Sequence, residues 1–111
     1  MRDSKNGYAV VFITCPTTGE ARTIANTLLK KKLIACANII PRIESIYRWQ
    51  GKIEKSSELL VIIKTREELV NKLISLVKKL HSYSVPEIIS IPIARGNRDY
   101  LDWIKDSVSI K

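Results

Sequence analysis

Two cysteines, one histidine and no apolar run of bilayer length set the first limits on this chain of 111 residues. Cys15 and Cys36 make no disulfide framework, so a reducing, cytoplasmic setting is expected, with both thiols buried or ligating rather than paired. No uninterrupted apolar stretch approaches the ~20 residues that span a bilayer, so no membrane partner is expected. "MRDSKNGYAVVFITC" starts charged, but its apolar part carries no signal-like cleavage site and reads as a first strand. Linkers, repeats and low-complexity segments are missing, and residues 1–111 are expected to form one domain. No Gly-rich phosphate loop with an adjacent arginine follows the first strand; "CPTTGEAR" is a poor substitute, and no enzyme is expected.

What the chain does have is charge and a hydrophobic core. Nineteen basic residues against eleven acidic ones give +8, which raises nucleic acid as a partner. The distribution argues against it. Lys30, Lys31 and Lys32 close one helix and Lys78 and Lys79 another, where the macrodipole favours cations. No arginine-rich stretch alternates with aromatics along a strand. A hydrophobic content of 45% is enough for a core without staples.

The periodicities give an order of elements. "YAVVFITC" (Tyr8 to Cys15) is a continuous apolar strand, stopped by Pro16. Thr17 or Thr18 caps a helix whose Ala21, Ile24, Ala25 and Leu28 share one face. "LIACANII" (Leu33 to Ile40) is a second strand, ended or bent by Pro41. It resumes as "IESIYRW", turns near Gln50 and Gly51, and returns as "KIEKSSELLVIIKT". Thr65 followed by Glu68 matches a capping box before a second helix with Leu69, Leu73, Leu76, Val77 and Leu80 on one stripe. "IISIPI" is a last strand and "RDYLDWIKDSV" a terminal amphipathic helix. The fold class is therefore α+β, the ferredoxin-like split βαβ of order β-α-β-β-α-β plus a C-terminal helix. In the usual strand order of that fold, Cys15, His81, Tyr83, Glu87 and the Tyr47–Trp49 tip gather at one edge, and Cys36 falls toward the other.

The long hairpin is the anomaly. Residues 39 to 50 span roughly 40 Å when extended, whereas a compact chain of this length is only about 34 Å across. Ile46, Tyr47 and Trp49 then overhang the layer that would bury them, beside unpaired strand edges. A symmetric homo-oligomer covers them most economically.

Across nearly the whole chain the motifs L-x-A-C-x-N-I-x-P, S-x-Y-x-W-x-G-K, E-x-L-x-x-I-K-T and H-x-Y-x-V-P-E occur in sequence. Joined, they resemble the CutA family of divalent-cation tolerance proteins. The resemblance implies a homotrimer built through the long hairpin, cytoplasmic residence and a link to copper or another divalent metal ion, with no organic cofactor. In the family's copper-associated bacterial member the proposed ligands are a cysteine late in strand one and a His-His pair. Those positions fall here on Ile13, Leu80 and His81; only His81 keeps its type, and Cys15, two residues on along the same strand face, stands in.

The candidate metal ligands are thus His81, Cys15 and Glu87. An imidazole after a helix end is a good borderline ligand, or else a cap for the last carbonyls of that helix. Cys15 offers a soft thiolate, although a free cysteine in an apolar strand is more often core. Tyr83, Lys64 and Glu58 are candidate pocket residues, with a structural ion pair the alternative for Lys64 and Glu58. The expected function is a non-catalytic, trimeric metal-binding protein. The second reading is a PII-like regulatory trimer that binds a small ligand between subunits.

Overall fold

The computed structural model describes residues 7–110. They form β1 (Tyr8–Cys15), α1 (Thr18–Lys30), β2 (Cys36–Trp49), β3 (Lys52–Arg66), α2 (Val70–Leu80), β4 (Ile88–Ile93) and α3 (Arg98–Ser107). All pairings are antiparallel and the sheet order is β2-β3-β1-β4, the split βαβ arrangement expected.

Strand alternation divides the sheet into two faces. Ala9, Val11, Ile13 and Cys15 of β1 sit opposite Thr65, Ile63, Val61 and Leu59 of β3, and all eight are buried. On them pack Ala21, Ile24 and Leu28 of α1 and Leu73 and Val77 of α2, in one cluster. Each fully buried Ile or Leu there stabilises the fold by roughly 1.5–3 kcal/mol. The opposite face carries Val10, Phe12, Leu60 and Ile62, flanked by Ile89 and Ile91, which are 53% and 51% exposed. α3 reaches this second face, where Tyr100 meets the Cys36 thiol and Ile104 is fully buried.

Two local features differ from the sequence expectation. The second strand begins at Cys36, not Leu33, because α1 ends in a Schellman-type wrap. Lys32 takes φ 57°, its N–H bonds the Leu29 carbonyl, and the Leu33 N–H reaches back to Leu28. Leu33, Ile34 and Ala35 are therefore a buried connection. The capping box at Thr65 does not form either. Thr65 is still in β3, fully buried, and its hydroxyl donates to the Leu33 carbonyl at 2.6 Å. A 3-10 turn at Glu67–Leu69 starts the second helix without a side-chain cap.

Pro41 bends β2 rather than ending it. One extra residue lies between the pairs Ile40↔Leu60 and Ile43↔Glu58, with Arg42 at φ 60°. That is a bulge, and it lets proline sit in the strand without a ladder N–H. Beyond it the hairpin leaves the sheet: β3 meets β1 only from Leu59 onward, so residues 52–58 pair with β2 alone. The overhang is about 23 Å at ~3.3 Å per residue. Gln50 and Gly51 close it with φ of 50° and 79°, as a two-residue type I′ turn requires. The longest dimension of the chain is 43 Å, and Ile46, Tyr47, Trp49 and Ile53 remain exposed.

Candidate functional site

Three chain segments meet at the end of β1. Pro16 stops the strand, and Thr17 caps α1 by accepting the Glu20 N–H at 3.1 Å. Glu20 is thereby held in the first helical turn, where the macrodipole favours a carboxylate. α2 arrives from the other direction and ends at His81, whose N–H bonds the Val77 carbonyl at 2.8 Å. The His81 backbone then turns extended and sends the loop toward β4.

The His81 side chain does not cap the carbonyls of its own helix. Its Nε2 lies 2.7 Å from the Thr14 carbonyl, which only accepts, so Nε2 carries a proton. Nδ1 faces the Tyr83 N–H at 3.1 Å and Glu20 Oε2 at 3.2 Å. The neutral ring accepts from Tyr83; a protonated ring donates to Glu20. Glu20 Oε2 also accepts the Ser82 N–H at 3.1 Å, tying the loop to α1.

Cys15 completes the corner. Donor atoms of Cys15, Glu20 and His81 all lie within 4.8 Å of one another. Burial, and then the negative charges of Glu20 and Glu58, push the Cys15 thiol up to about 11, so it is protonated at neutral pH. Thiol, carboxylate and one imidazole lone pair form a mixed S, O, N set of the kind that holds a borderline divalent ion or copper. Three protein donors would leave the fourth position of a tetrahedral ion to another ligand. A cation held there would take the place of the thiol proton, and Nδ1 would give up the Tyr83 N–H to bind it.

The structure brings Cys15 and His81 together, but the carboxylate beside them is that of Glu20. Glu87 is exposed and lies outside this group. Glu20 carries no signal in the sequence beyond its place in the first turn after a capped Pro-Thr-Thr.

Tyr83 and Glu58 meet directly, the phenol donating to Glu58 Oε2 at 2.7 Å. They share a cavity of about 570 Å³ with Tyr47, Trp49, Ser45 and Thr14, and Ile46 and Glu87 also border it. Lys64 is not part of it. It pairs with Val10 and Cys36 at the far end of the sheet, where its ammonium bonds Asn38.

Residues 9–107 match the family described as CutA1 divalent ion tolerance protein. Over 98 residues the chain is 51% identical to the divalent-cation tolerance protein CutA of Thermus thermophilus, covering 88% of this chain and 95% of that one. It is 44% identical to human protein CutA over 108 residues, covering 93% of this chain and 60% of the human protein. The chain spans 55% of the chloroplastic CutA 1 of rice. Among solved structures, the Thermus thermophilus Cut A1 superimposes with a TM-score of 0.90 at 49% identity, covering 92% of this chain and 99% of that one. CutA1 from Oryza sativa gives 0.92 at 42% identity, covering 98% and 100%.

Proposed function

This chain belongs to the CutA1 divalent ion tolerance family, and from that premise we propose that it is a non-catalytic, cytoplasmic homotrimer that binds copper or another divalent ion at the Cys15–Glu20–His81 corner. The observation that carries the metal reading is the convergence of a thiol, a carboxylate and an imidazole from three separate segments. Sulfur and imidazole nitrogen favour copper or zinc over the hard cations magnesium and calcium.

Cys15 is buried and holds its proton in the metal-free chain, which makes it a poor nucleophile; as a ligand it would have to give that proton up to the cation. Two free thiols suit a reducing cytoplasm. The trimer is supported by the overhanging hairpin, whose Ile46 and Ile53 are 59% and 69% exposed, and by the half-exposed isoleucines of β4.

Native mass spectrometry under anaerobic conditions, with Cu(I) and Zn(II) added, tests both parts. One metal per chain is expected, lost in His81→Ala and Glu20→Gln and kept in Glu87→Gln. Uptake that survives His81→Ala sinks the proposed site. A protein that stays a single chain at micromolar concentration sinks the trimer.

A further inference from the structure

A chain of net charge +8 has built one cavity without a single basic residue in its wall. It lies in the notch between the overhanging hairpin and the loop that follows α2. Its polar groups are two carboxylates, Glu58 and Glu87, and hydroxyls; its apolar walls include the rings of Tyr47, Trp49 and Tyr83. Against the composition of the whole chain, that lining selects for positive charge.

Glu58 makes the selection sharp. It is only 6% exposed, yet among the described residues it has no ion-pair partner. Its Oε2 takes one hydrogen bond, from Tyr83 at 2.7 Å. An ionised carboxylate accepts up to about four, so Glu58 has acceptor capacity left on the side of the cavity. A buried charge of this kind is costly unless a donor or counter-ion meets it. Its field is felt nearby: it contributes to raising both the Cys15 thiol and the Tyr83 phenol.

We propose that this notch binds a small primary ammonium compound, a short aliphatic diamine being the simplest that satisfies it. One ammonium donates to Glu58 and lies against the aromatic rings, whose faces attract cations. The second reaches Glu87 at the rim. Anions are repelled by two carboxylates with no cation among the described residues of the lining. A quaternary ammonium enjoys the rings but has no N–H to give Glu58. A bare metal ion finds only oxygen here and, beside it, aromatic walls; the sulfur and imidazole donors lie at the neighbouring corner. The volume, about 570 Å³, falls within the range of small-molecule sites. The inference does not depend on metal uptake.

Isothermal titration of the assembled protein with 1,4-diaminobutane, in the presence of a chelator, is the test. Saturable binding is expected, with 1,4-butanediol inert and tetramethylammonium much weaker. Glu58→Gln keeps a partner for Tyr83 and should weaken the diamine about tenfold to a hundredfold, the value of a charge-assisted hydrogen bond. Glu44→Gln, the same charge change at an exposed position outside the lining, should leave affinity within about twofold. Should Glu58→Gln fold poorly, Glu87→Gln serves instead: it should weaken the diamine and leave 1-aminobutane unaffected. No saturable binding, a notch closed by a neighbouring copy included, overturns the proposal. So does equal loss in Glu44→Gln and Glu58→Gln, or equal affinity for diol or tetramethylammonium.

Discussion

The Tyr83 hydroxyl donates to Glu58 Oε2 at 2.7 Å, and this bond joins the loop after α2 to the point where the hairpin leaves the sheet. Leu59 is the last residue of β3 that pairs with β1, so Glu58 is the first whose outer edge lacks a strand. At that point the phenol holds the Glu58 side chain. Burial first, then the bond to Glu58, raises the Tyr83 pKa above its ordinary 10, so the donor persists across the neutral range.

Tyr83→Phe is therefore expected to destabilise the fold by roughly 1–3 kcal/mol, the cost of leaving a buried acceptor unmade. Urea denaturation of the two proteins gives the difference. Replacing both partners, Tyr83→Phe with Glu58→Leu, should recover part of it. A single substitution that costs nothing would mean water already satisfies Glu58.

How much of this corner the sequence discloses depends on the range of each contact. Strand order and the meeting of Cys15 with His81 follow from topology: α2 must end where β1 ends. The turn is written in Gln50-Gly51, since both central residues must take positive φ. Glu20 was hidden because its role arises only when Ser82, 62 residues away, arrives beside it. Thr65 looked like a cap because a threonine three before a glutamate fits one; burial between β1 and the Leu33 carbonyl overrode that local preference. Lys64 and Glu58 look alike in the sequence, as polar groups beside apolar strand residues that need a partner if buried. Six residues of strand separate the two by about 20 Å, and that rise alone puts them at different ends of β3.

The Cys15 thiol gives a pH dependence with a definite sign. It ionises near 11 in the folded chain and at 9.0 by its ordinary value. Between these the unfolded chain has released the proton and the folded chain still holds it. The folded state then binds more protons, so stability falls as pH rises from about 9 to about 11, and this thiol contributes no slope below 9. Denaturation midpoints of wild type and Cys15→Ala, compared from pH 8 to 11, isolate it from the lysines and tyrosines that titrate nearby. The gap between them should shrink as pH climbs. A constant gap would mean that the thiol titrates as it does in water.

Lys32 offers a gain instead of a loss. At φ 57° it occupies the left-handed position of the wrap that ends α1, where a side chain is strained and glycine is not. Its side chain is exposed, so little packing is lost on removing it. Lys32→Gly should stabilise the protein by about 1 kcal/mol, and Lys31→Gly, one residue earlier at φ -85°, should not. A thermal melt that orders the two the other way would show that the lysine side chain matters more than its backbone.

The hairpin makes the most visible prediction. Tyr47 and Trp49 are 43% and 45% exposed, Ile46 and Ile53 more so, and among the described residues no strand covers either edge beyond Leu59. If three copies of the 12.6 kDa chain enclose the part of the hairpin that bears Ile53, outside the notch, substitution there should act on assembly before it acts on the fold. Ile53→Asp places a charge in what would be a desolvated contact and leaves the core cluster untouched. Sedimentation should then report single chains where the unaltered protein sediments as three, while circular dichroism keeps the α+β signature. Glu44→Asp, also on the hairpin and exposed, should change neither. If Ile53→Asp sediments like the unaltered protein, the hairpin tip lies outside the contact, and subunits must meet through the other apolar surface, the sheet face bearing Ile89 and Ile91.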